Sequence, residues 1–256
     1  CPKGRLLPMA GASAAIQILP RVIAPGRAAV LTPSYNEHAA SLRAAGWQVS
    51  AAPEIAAMEG ADLAVVVNPN NPDGREWSPA RLAALAGRVG TLVVDESFAD
   101  PRPDLSLIPE LPDNAVVLRS FGKFWGLAGL RLGFAVARPD LLAALREAAG
   151  PWAVGGPALA IGAAAMADAA WADAAVTYHA EAALNLDRLA LRGGWRPVGG
   201  THLFRLYDTP DARAAQEALA RAHVWTRRFP YSDRWLRLGI PGDRDEFDRL
   251  EAALRP

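Results

Sequence analysis

The feature of this sequence that most constrains its fold is an alternation of short apolar runs with helix-like segments between residues 28 and 137. Runs such as "AAVLTP", "ADLAVVVNP" and "TLVVDES" are almost continuously apolar, which is typical of strands covered on both faces in a mainly parallel sheet. Helix start signals lie between them, as with Ser78 and Pro79 in "SPARLAALAGRV". The pattern predicts an α/β domain.

The residue composition of the sequence changes after "PWAVGGP". A long Ala-rich stretch, roughly 158–191, predicts one helix, and strand, helix, strand, strand and helix patterns follow it. We therefore predict a large sheet domain over residues 1–172 and a small α+β domain over residues 173–256, with the long helix as the connector.

Composition excludes several classes of partner. The chain has 27 basic and 27 acidic residues, so no overall charge favours nucleic acid or an anionic membrane. We also see no apolar run long enough to span a bilayer. The single cysteine, Cys1, excludes an internal disulfide framework and fits a reducing cytoplasm. The four histidines show no ligand spacing, so we predict structural or surface roles for them and no metal site: His38, His179, His202 and His223.

Lysine usage singles out one residue. Lys3 and Lys123 are the two lysines among the 27 basic residues, so arginine serves almost everywhere else as the cation. An arginine stays protonated, whereas a desolvated lysine amine condenses with a carbonyl group. Lys123 is thus a candidate nucleophile, and a surface lysine whose stem packs on the protein is the alternative.

Polar groups follow several predicted strands, and ligands of open parallel sheets lie beyond the carboxyl ends of the strands. Asp95 ends an apolar strand, where a carboxylate is costly unless it meets a cation or a protonated ring nitrogen. A helix cap is the alternative for Asp95. Asn70, Asn71 and Pro72 follow another strand, and a plain turn is the alternative there.

Two elements have the chemistry of a phosphate site. Ser120 and Arg131 supply a hydroxyl and a guanidinium on either side of Lys123. The segment "GASAAI" places Gly11, Ala12 and Ser13 at the head of a helix, where unpaired N–H groups favour an anion, although a simple N-cap serine is the alternative. Together with the lysine, the carboxylate and the Asn turn, these elements describe a site for a phosphorylated, pyridine-like aldehyde.

The motifs "NPNNPDG", "DES" and "SFGKFWGLAGLRLGF", in this order and spacing, resemble those of the fold-type I pyridoxal-phosphate enzymes of the class I/II aminotransferase group. The resemblance runs from about Met9 to the C-terminus. It implies a three-layer, aspartate-aminotransferase-like large domain with a mainly parallel sheet, a small C-terminal α+β domain, pyridoxal 5'-phosphate as cofactor, and a homodimer.

The resemblance also implies roles for individual residues. Lys123 would bind the cofactor aldehyde and move the Cα proton, Asp95 would pair with the ring nitrogen, and Asn71 would bond the ring 3-oxygen. Tyr35 would stack on the ring, and Arg237 would bind the substrate carboxylate. The phosphate would be held by Ala12, Ser13, Ser120 and Arg131.

Within this group, "DESFAD" and "VWTRRFPYSDRWLRLGIPGD" resemble the cobalamin-pathway branch that decarboxylates L-threonine-O-3-phosphate to 1-aminopropan-2-ol phosphate. Phe98 stands where the usual pattern has a tyrosine that donates to the ring 3-oxygen. Arg227 or Arg228 would bind the substrate phosphate, unless both are exposed strand-end arginines. A histidinol-phosphate or other aminotransferase, and a non-catalytic cofactor-binding or regulatory domain, remain alternatives.

The chain opens close to the first motif and without a start methionine, from which we expect that an upstream segment is missing. In the resembling enzymes such a segment closes over the substrate. We expect a cytoplasmic protein whose partner is a small phosphorylated amino acid.

Overall fold

The computed structural model describes residues 4–254, so Cys1 and Lys3 lie outside the described residues. The chain divides into two compact units. Within the described residues, the first comprises 4–71 and Glu76–Asp168, and the second comprises Pro72–Arg75 and 169–254. The division after Asp168 falls earlier than the predicted one after residue 172, and the short segment 72–75 belongs to the second unit.

The first unit is built on a seven-stranded sheet, counted within residues 4–254. Its strands are β1 (Leu6–Met9), β2 (Arg27–Leu31), β3 (Gln48–Ala52), β4 (Leu63–Val67), β5 (Thr91–Asp95), β6 (Ala115–Ser120) and β7 (Gly133–Val136). Their spatial order is β1-β7-β6-β5-β4-β2-β3. The pairs from β3 to β6 are parallel, while β7 runs antiparallel to both β6 and β1.

Both faces of this sheet are covered, because neighbouring residues of the central strands belong to different cores. Val65 and Val93 lie in one core with α1 and α4, whereas Val66 and Val94 lie in the other with α3. The helices of this unit are α1 (Ala12–Val22), α2 (Asn36–Ala44), α3 (Pro79–Ala86), α4 (Pro139–Ala149) and α5 (Gly156–Ala167). The predicted three-layer α/β architecture with a mainly parallel sheet is confirmed.

The second unit has a four-stranded antiparallel sheet of order β10-β11-β9-β8. Its elements are α6 (Ala169–Arg192), β8 (Arg196–Thr201), β9 (Phe204–Asp208), α7 (Ala212–Arg221), β10 (Arg227–Phe229), β11 (Ser232–Gly239) and α8 (Arg244–Leu254). Tyr207, Leu236 and Leu238 pack with residues of all three helices in one core, so one face of the sheet is covered by helices. The small α+β domain expected from the sequence is built in this way.

The single helix predicted over 158–191 is wrong in one respect, since the structure has two helices with a break at Asp168. The backbone of Asp168 (φ −87°, ψ 75°) leaves the helical region, and its N–H bonds the Ala165 carbonyl three residues back, which closes α5. An alanine-rich pattern carries no signal for such a break. The short strands β1 and β8 also lacked a clear sequence signal.

No single helix in the described part of the chain is long and apolar enough to cross a membrane. Of these residues, the consecutive helices Gly156–Ala167 and Ala169–Arg192 reach that length and hydropathy only when taken together as a broken span.

Candidate active site

The carboxyl ends of three neighbouring strands bring the predicted groups of the first unit to one edge of its sheet. In the strand register, Val67 pairs with Asp95 and Asp95 pairs with Leu118, two residues before Ser120. β4 continues directly into the Asn-rich segment, β5 ends at Asp95, and β6 leads into the turn that carries Lys123. The parallel arrangement alone therefore places these groups on the same side.

Asp95 is an anion in a buried position. The residue is 2% exposed, its Oδ2 lies 2.9 Å from Nε2 of His38, and its Oδ1 accepts bonds from the backbone N–H (3.0 Å) and the hydroxyl (2.5 Å) of Ser97. Burial raises the pKa of Asp95, but the hydrogen bond and charge of His38 and the two bonds from Ser97 outweigh it, so the pKa stays below its usual value. A stable buried carboxylate suits a cationic ring nitrogen.

His38 is the site residue that the sequence analysis missed, because it was assigned only a structural or surface role. It is 4% exposed and comes from α2, 57 residues before its partner Asp95. Tyr35 lies one helical turn earlier, and its ring meets the His38 ring edge-on at 6.2 Å. The available signal was the three-residue spacing of Tyr35 and His38, which is typical of side chains on one helix face, although Tyr35 is the extended residue that precedes α2 in the structure.

The Asn-rich segment divides into structural and accessible residues. Asn68 and Asn70 are fully buried. Asn68 exchanges bonds with the backbone of Trp77, and Asn70 donates to the Pro33 carbonyl at 2.9 Å and accepts from Ser34 at 2.8 Å. These bonds hold Asn68 and Asn70 in the loop. Asn71, the residue that follows, is half-buried and is the one predicted to bind a ligand.

The start of α1 and Arg131 form a cationic cradle. Gly11 has φ 79°, and no side chain caps the helix that it precedes. A Cβ atom on Gly11 would lie 2.8 Å from a guanidinium nitrogen of Arg131, so that guanidinium lies directly over the helix start. Gly133 is equally constrained, since its Cβ would lie 2.4 Å from the Ala12 nitrogen. Ser120 pairs with Gly133 in the strand register, which brings it to the same place.

The residues of this cradle differ in their exposure to solvent. Gly11 and Ala12 are buried, Ser120 is half-buried, and Ser13 and Arg131 are exposed. Backbone N–H groups, hydroxyls and a guanidinium at one helix start are the donors that a phosphate group requires. The structure thus brings the four predicted phosphate-binding residues to the neighbourhood of the α1 start.

Lys123 is exposed in the turn after β6. Its Nζ lies 5.7 Å from the centroid of the Phe98 ring, and its carbonyl accepts a bond from the N–H of Gly126 at 3.1 Å. The amine therefore lies beside an aromatic face, where no phenolic oxygen is present. Phe98 is the residue that stands where the resembling enzymes have a tyrosine.

The second unit contains the three predicted substrate-binding arginines, and its sheet places them on two different faces. Arg227 and Arg237 are directly opposite each other in the β10–β11 register, so they share a face of that sheet. Arg228 is opposite the core residue Leu236, and its Nε donates to Oε1 of Gln216 in α7 at 2.7 Å. Arg228 therefore belongs to the helix-covered face.

Arg237 lies beside an aromatic ring and a second cation. Its guanidinium carbon lies 5.1 Å from the Phe204 ring centroid. Burial lowers the pKa of Arg237, and so does the positive charge of Arg227, while Tyr231 acts in the opposite direction. Two neighbouring cations, one of them largely desolvated, gain from an anionic ligand more than solvated arginines do.

The aminotransferase class I and II family model matches residues 2–254. A threonine-phosphate decarboxylase of Sinorhizobium sp. is 44% identical over 97% of this chain and 76% of its own length, and one of Pseudomonas aeruginosa is 43% identical over 98% and 78%. The solved histidinol-phosphate aminotransferase of Sinorhizobium meliloti, in complex with pyridoxal-5'-phosphate, has a similar fold. Its TM-score is 0.86 at 23% identity, over 98% of this chain and 76% of that one.

The contact of His38 with Asp95 predicts that His38→Gln lowers the stability of the fold. Because the folded pKa of Asp95 is lowered, the carboxylate stabilises the fold above its unfolded pKa of about 3.9, and this contribution is lost as the pH falls through the folded value. Without His38, burial dominates and the variant is less stable than the parent at neutral pH. We expect the difference in unfolding free energy to be largest at pH 7 and to shrink as the pH falls, because Asp95 becomes protonated first in the variant and only below its lowered pKa in the parent.

Urea unfolding of both proteins at pH 7 and pH 4 measures this difference. An equal difference at the two pH values contradicts the account, because it assigns the loss to packing alone.

Proposed function

Because the chain belongs to the aminotransferase class I and II family, we propose that it is a pyridoxal-phosphate enzyme that decarboxylates L-threonine-O-3-phosphate to 1-aminopropan-2-ol phosphate. The observation that carries this proposal is the identity of 43% and 44% to two threonine-phosphate decarboxylases over nearly the whole chain. The site described above has the residues that such a reaction requires.

Pyridoxal 5'-phosphate fits the first unit at each of its functional groups. The crowded contact of Gly11 with Arg131 and the uncapped start of α1 suit the phosphate. The buried anion of Asp95 suits the ring nitrogen, and Asn71 suits the ring 3-oxygen. Tyr35, which is 36% exposed, offers a ring face for stacking. When bound, the cofactor accepts into its conjugated ring the electron pair that is released at the substrate Cα.

Lys123 and Asp95 carry the chemistry in this proposal. The amine of Lys123 would hold the cofactor by condensing with its aldehyde, with loss of water, and the substrate amine would displace it. Asp95 remains ionised because of His38 and Ser97, so it keeps a proton on the ring nitrogen. After CO2 leaves, Nζ of Lys123 donates a proton to Cα.

Substrate recognition is assigned to the arginine pair of the second unit. Threonine phosphate carries two anionic groups, a carboxylate and a phosphate, and Arg237 and Arg227 form a pair of cations on one sheet face. We assign the carboxylate to Arg237 and the phosphate to Arg227. Loss of CO2 requires that the bond from Cα to the carboxylate is held perpendicular to the cofactor ring, and a fixed carboxylate gives the protein control of that angle.

An aminotransferase is the second candidate, since the family includes that activity and the fold also serves a histidinol-phosphate aminotransferase. Phe98, which offers no hydroxyl to the ring 3-oxygen, favours the decarboxylase. A non-catalytic role fits poorly with the presence of Lys123, Asp95, Asn71 and Arg131 together. Supply of aminopropanol phosphate to cobalamin synthesis, a cytoplasmic location and a homodimer complete the proposal.

The reaction itself is tested by product analysis. The protein is incubated with pyridoxal phosphate and L-threonine-O-3-phosphate, and CO2 and aminopropanol phosphate are quantified beside a Lys123→Ala control. We expect both products in equal amounts from the parent protein and neither from the control. Formation of a 2-oxo acid or pyridoxamine phosphate instead of CO2 assigns the protein to the aminotransferases.

The substrate site is tested by comparing Arg237→Ala with Arg228→Ala. Truncation of Arg237 removes a charge pair with the substrate carboxylate, and we expect substrate binding to weaken by about 2 to 5 kcal/mol. Arg228→Ala removes the same charge from the helix-covered face of the sheet. Its Michaelis constant is expected to stay close to the parent value. An equal loss of substrate binding in Arg237→Ala and Arg228→Ala contradicts the assignment of the substrate carboxylate to Arg237.

A further inference from the structure

Three aromatic side chains hold the turn that carries Lys123. Phe121 and Trp125 are stacked with centroids 5.2 Å apart and ring planes at 6°, and Phe124 meets Trp125 edge-on at 5.2 Å. Phe121 and Phe124 are 3% and 4% exposed, so both are anchored in the first unit. Trp125 therefore packs against both anchored rings, on either side of Lys123 in the chain.

Asp100 links Trp125 to the end of β6. Its Oδ1 accepts a bond from the indole N–H of Trp125 at 3.3 Å and from a guanidinium nitrogen of Arg119 at 2.7 Å. Its Oδ2 is buried and has no hydrogen-bond partner within residues 4–254. A buried carboxylate oxygen without a hydrogen-bond donor destabilises the fold. The two donors at Oδ1 hold the Asp100 side chain in this orientation in spite of that cost.

Arg119 extends the link to the residue next to Asp95. Its second guanidinium nitrogen donates to Oε2 of Glu96 at 2.9 Å. Burial alone would lower the pKa of Arg119, but the charges of Asp100 and Glu96 outweigh this effect. The pKa therefore lies above its usual value, and Arg119 is a cation. Glu96 is fully buried and also accepts bonds from the hydroxyl of Ser106 and the N–H of Leu107, both at 2.7 Å. It is therefore a fixed anchor.

From this continuous network we propose that Asp100 is a positioning residue, which holds the Lys123 amine in place relative to Asp95 through Trp125 and Arg119. The inference rests on the proposed function, in which Lys123 condenses with the aldehyde of pyridoxal phosphate. That step joins Nζ to the aldehyde carbon and releases the aldehyde oxygen as water. A misplaced amine attacks more slowly even when the cofactor is already bound.

Two substitutions interrupt the link at different points, and a third serves as a matched control. Asp100→Asn keeps the shape but removes the charge, and Trp125→Phe keeps an aromatic ring but removes the N–H donor. Asp104→Asn makes the same change as the first at a nearby carboxylate, which is 61% exposed and pairs with Arg102. Asp104 has no described contact with the turn of Lys123.

The experiment mixes each cofactor-free protein with pyridoxal phosphate and follows attachment by absorbance, with borohydride trapping and mass measurement at each time. It yields the attachment rate at saturating cofactor and the concentration for half-maximal rate. The thermal unfolding midpoint of each cofactor-free protein is recorded beside them.

We expect Asp100→Asn and Trp125→Phe each to slow the saturating rate about tenfold, the factor that corresponds to about 1.4 kcal/mol of barrier. The double variant is expected to be no slower than the slower single one, because both changes break one link. Asp104→Asn is expected to keep the parent rate. A purely structural role changes the unfolding midpoint and not this rate.

Parent-like saturating rates in Asp100→Asn and Trp125→Phe overturn the inference, as does a double variant whose effects multiply. If Asp100→Asn does not fold, Trp125→Phe carries the test against the same control. A parent protein that attaches no pyridoxal phosphate removes the proposed function itself, which is distinct from failure of the positioning role.

Discussion

A carboxylate that remains ionised inside the protein is the constraint on which the rest of the site depends. Asp95 lies at the end of a central strand, where burial favours its neutral form, and only the contacts of His38 and Ser97 reverse this. Ser97 lies two residues after Asp95 in the chain, but His38 must be supplied by α2. The packing of that helix on the sheet, through Leu42 in the same core, is therefore part of the electrostatics of the site.

The first unit presents two regions of opposite charge at one sheet edge. The anion of Asp95 is fixed by side chains, whereas the cationic cradle depends on backbone shape. At Gly11 and Gly133 a side chain would collide with Arg131 or with the Ala12 nitrogen. A ligand with a phosphate at one end and a protonated ring nitrogen at the other matches this arrangement, and Lys123 adds the amine that an aldehyde requires.

The sequence predicted those parts of the site that depend on strand ends. A parallel sheet aligns the ends of successive strands, so the sequence alone predicts that Asp95, Ser120 and the Asn-rich segment lie at one sheet edge. His38 was predicted to have only a structural or surface role, and Asp100 and Trp125 were not singled out, because their bonds join residues distant along the chain. Arg227 and Arg228 were indistinguishable in sequence, and only the pairing register of β10 with β11 separates their faces. The break at Asp168 was hidden for a similar reason, because alanine favours the helix on both sides.

The proposed reaction depends on Lys123 as the residue to which the cofactor would bind covalently. Its most direct test is borohydride reduction of the parent protein with pyridoxal phosphate, followed by proteolysis and mass mapping of the labelled peptide. Because Lys3 and Lys123 are the two lysines of the chain, the labelled peptide identifies the lysine that reacted. The account predicts one label, on the peptide that contains Lys123. A label confined to the peptide of Lys3, or no label on either lysine, contradicts it.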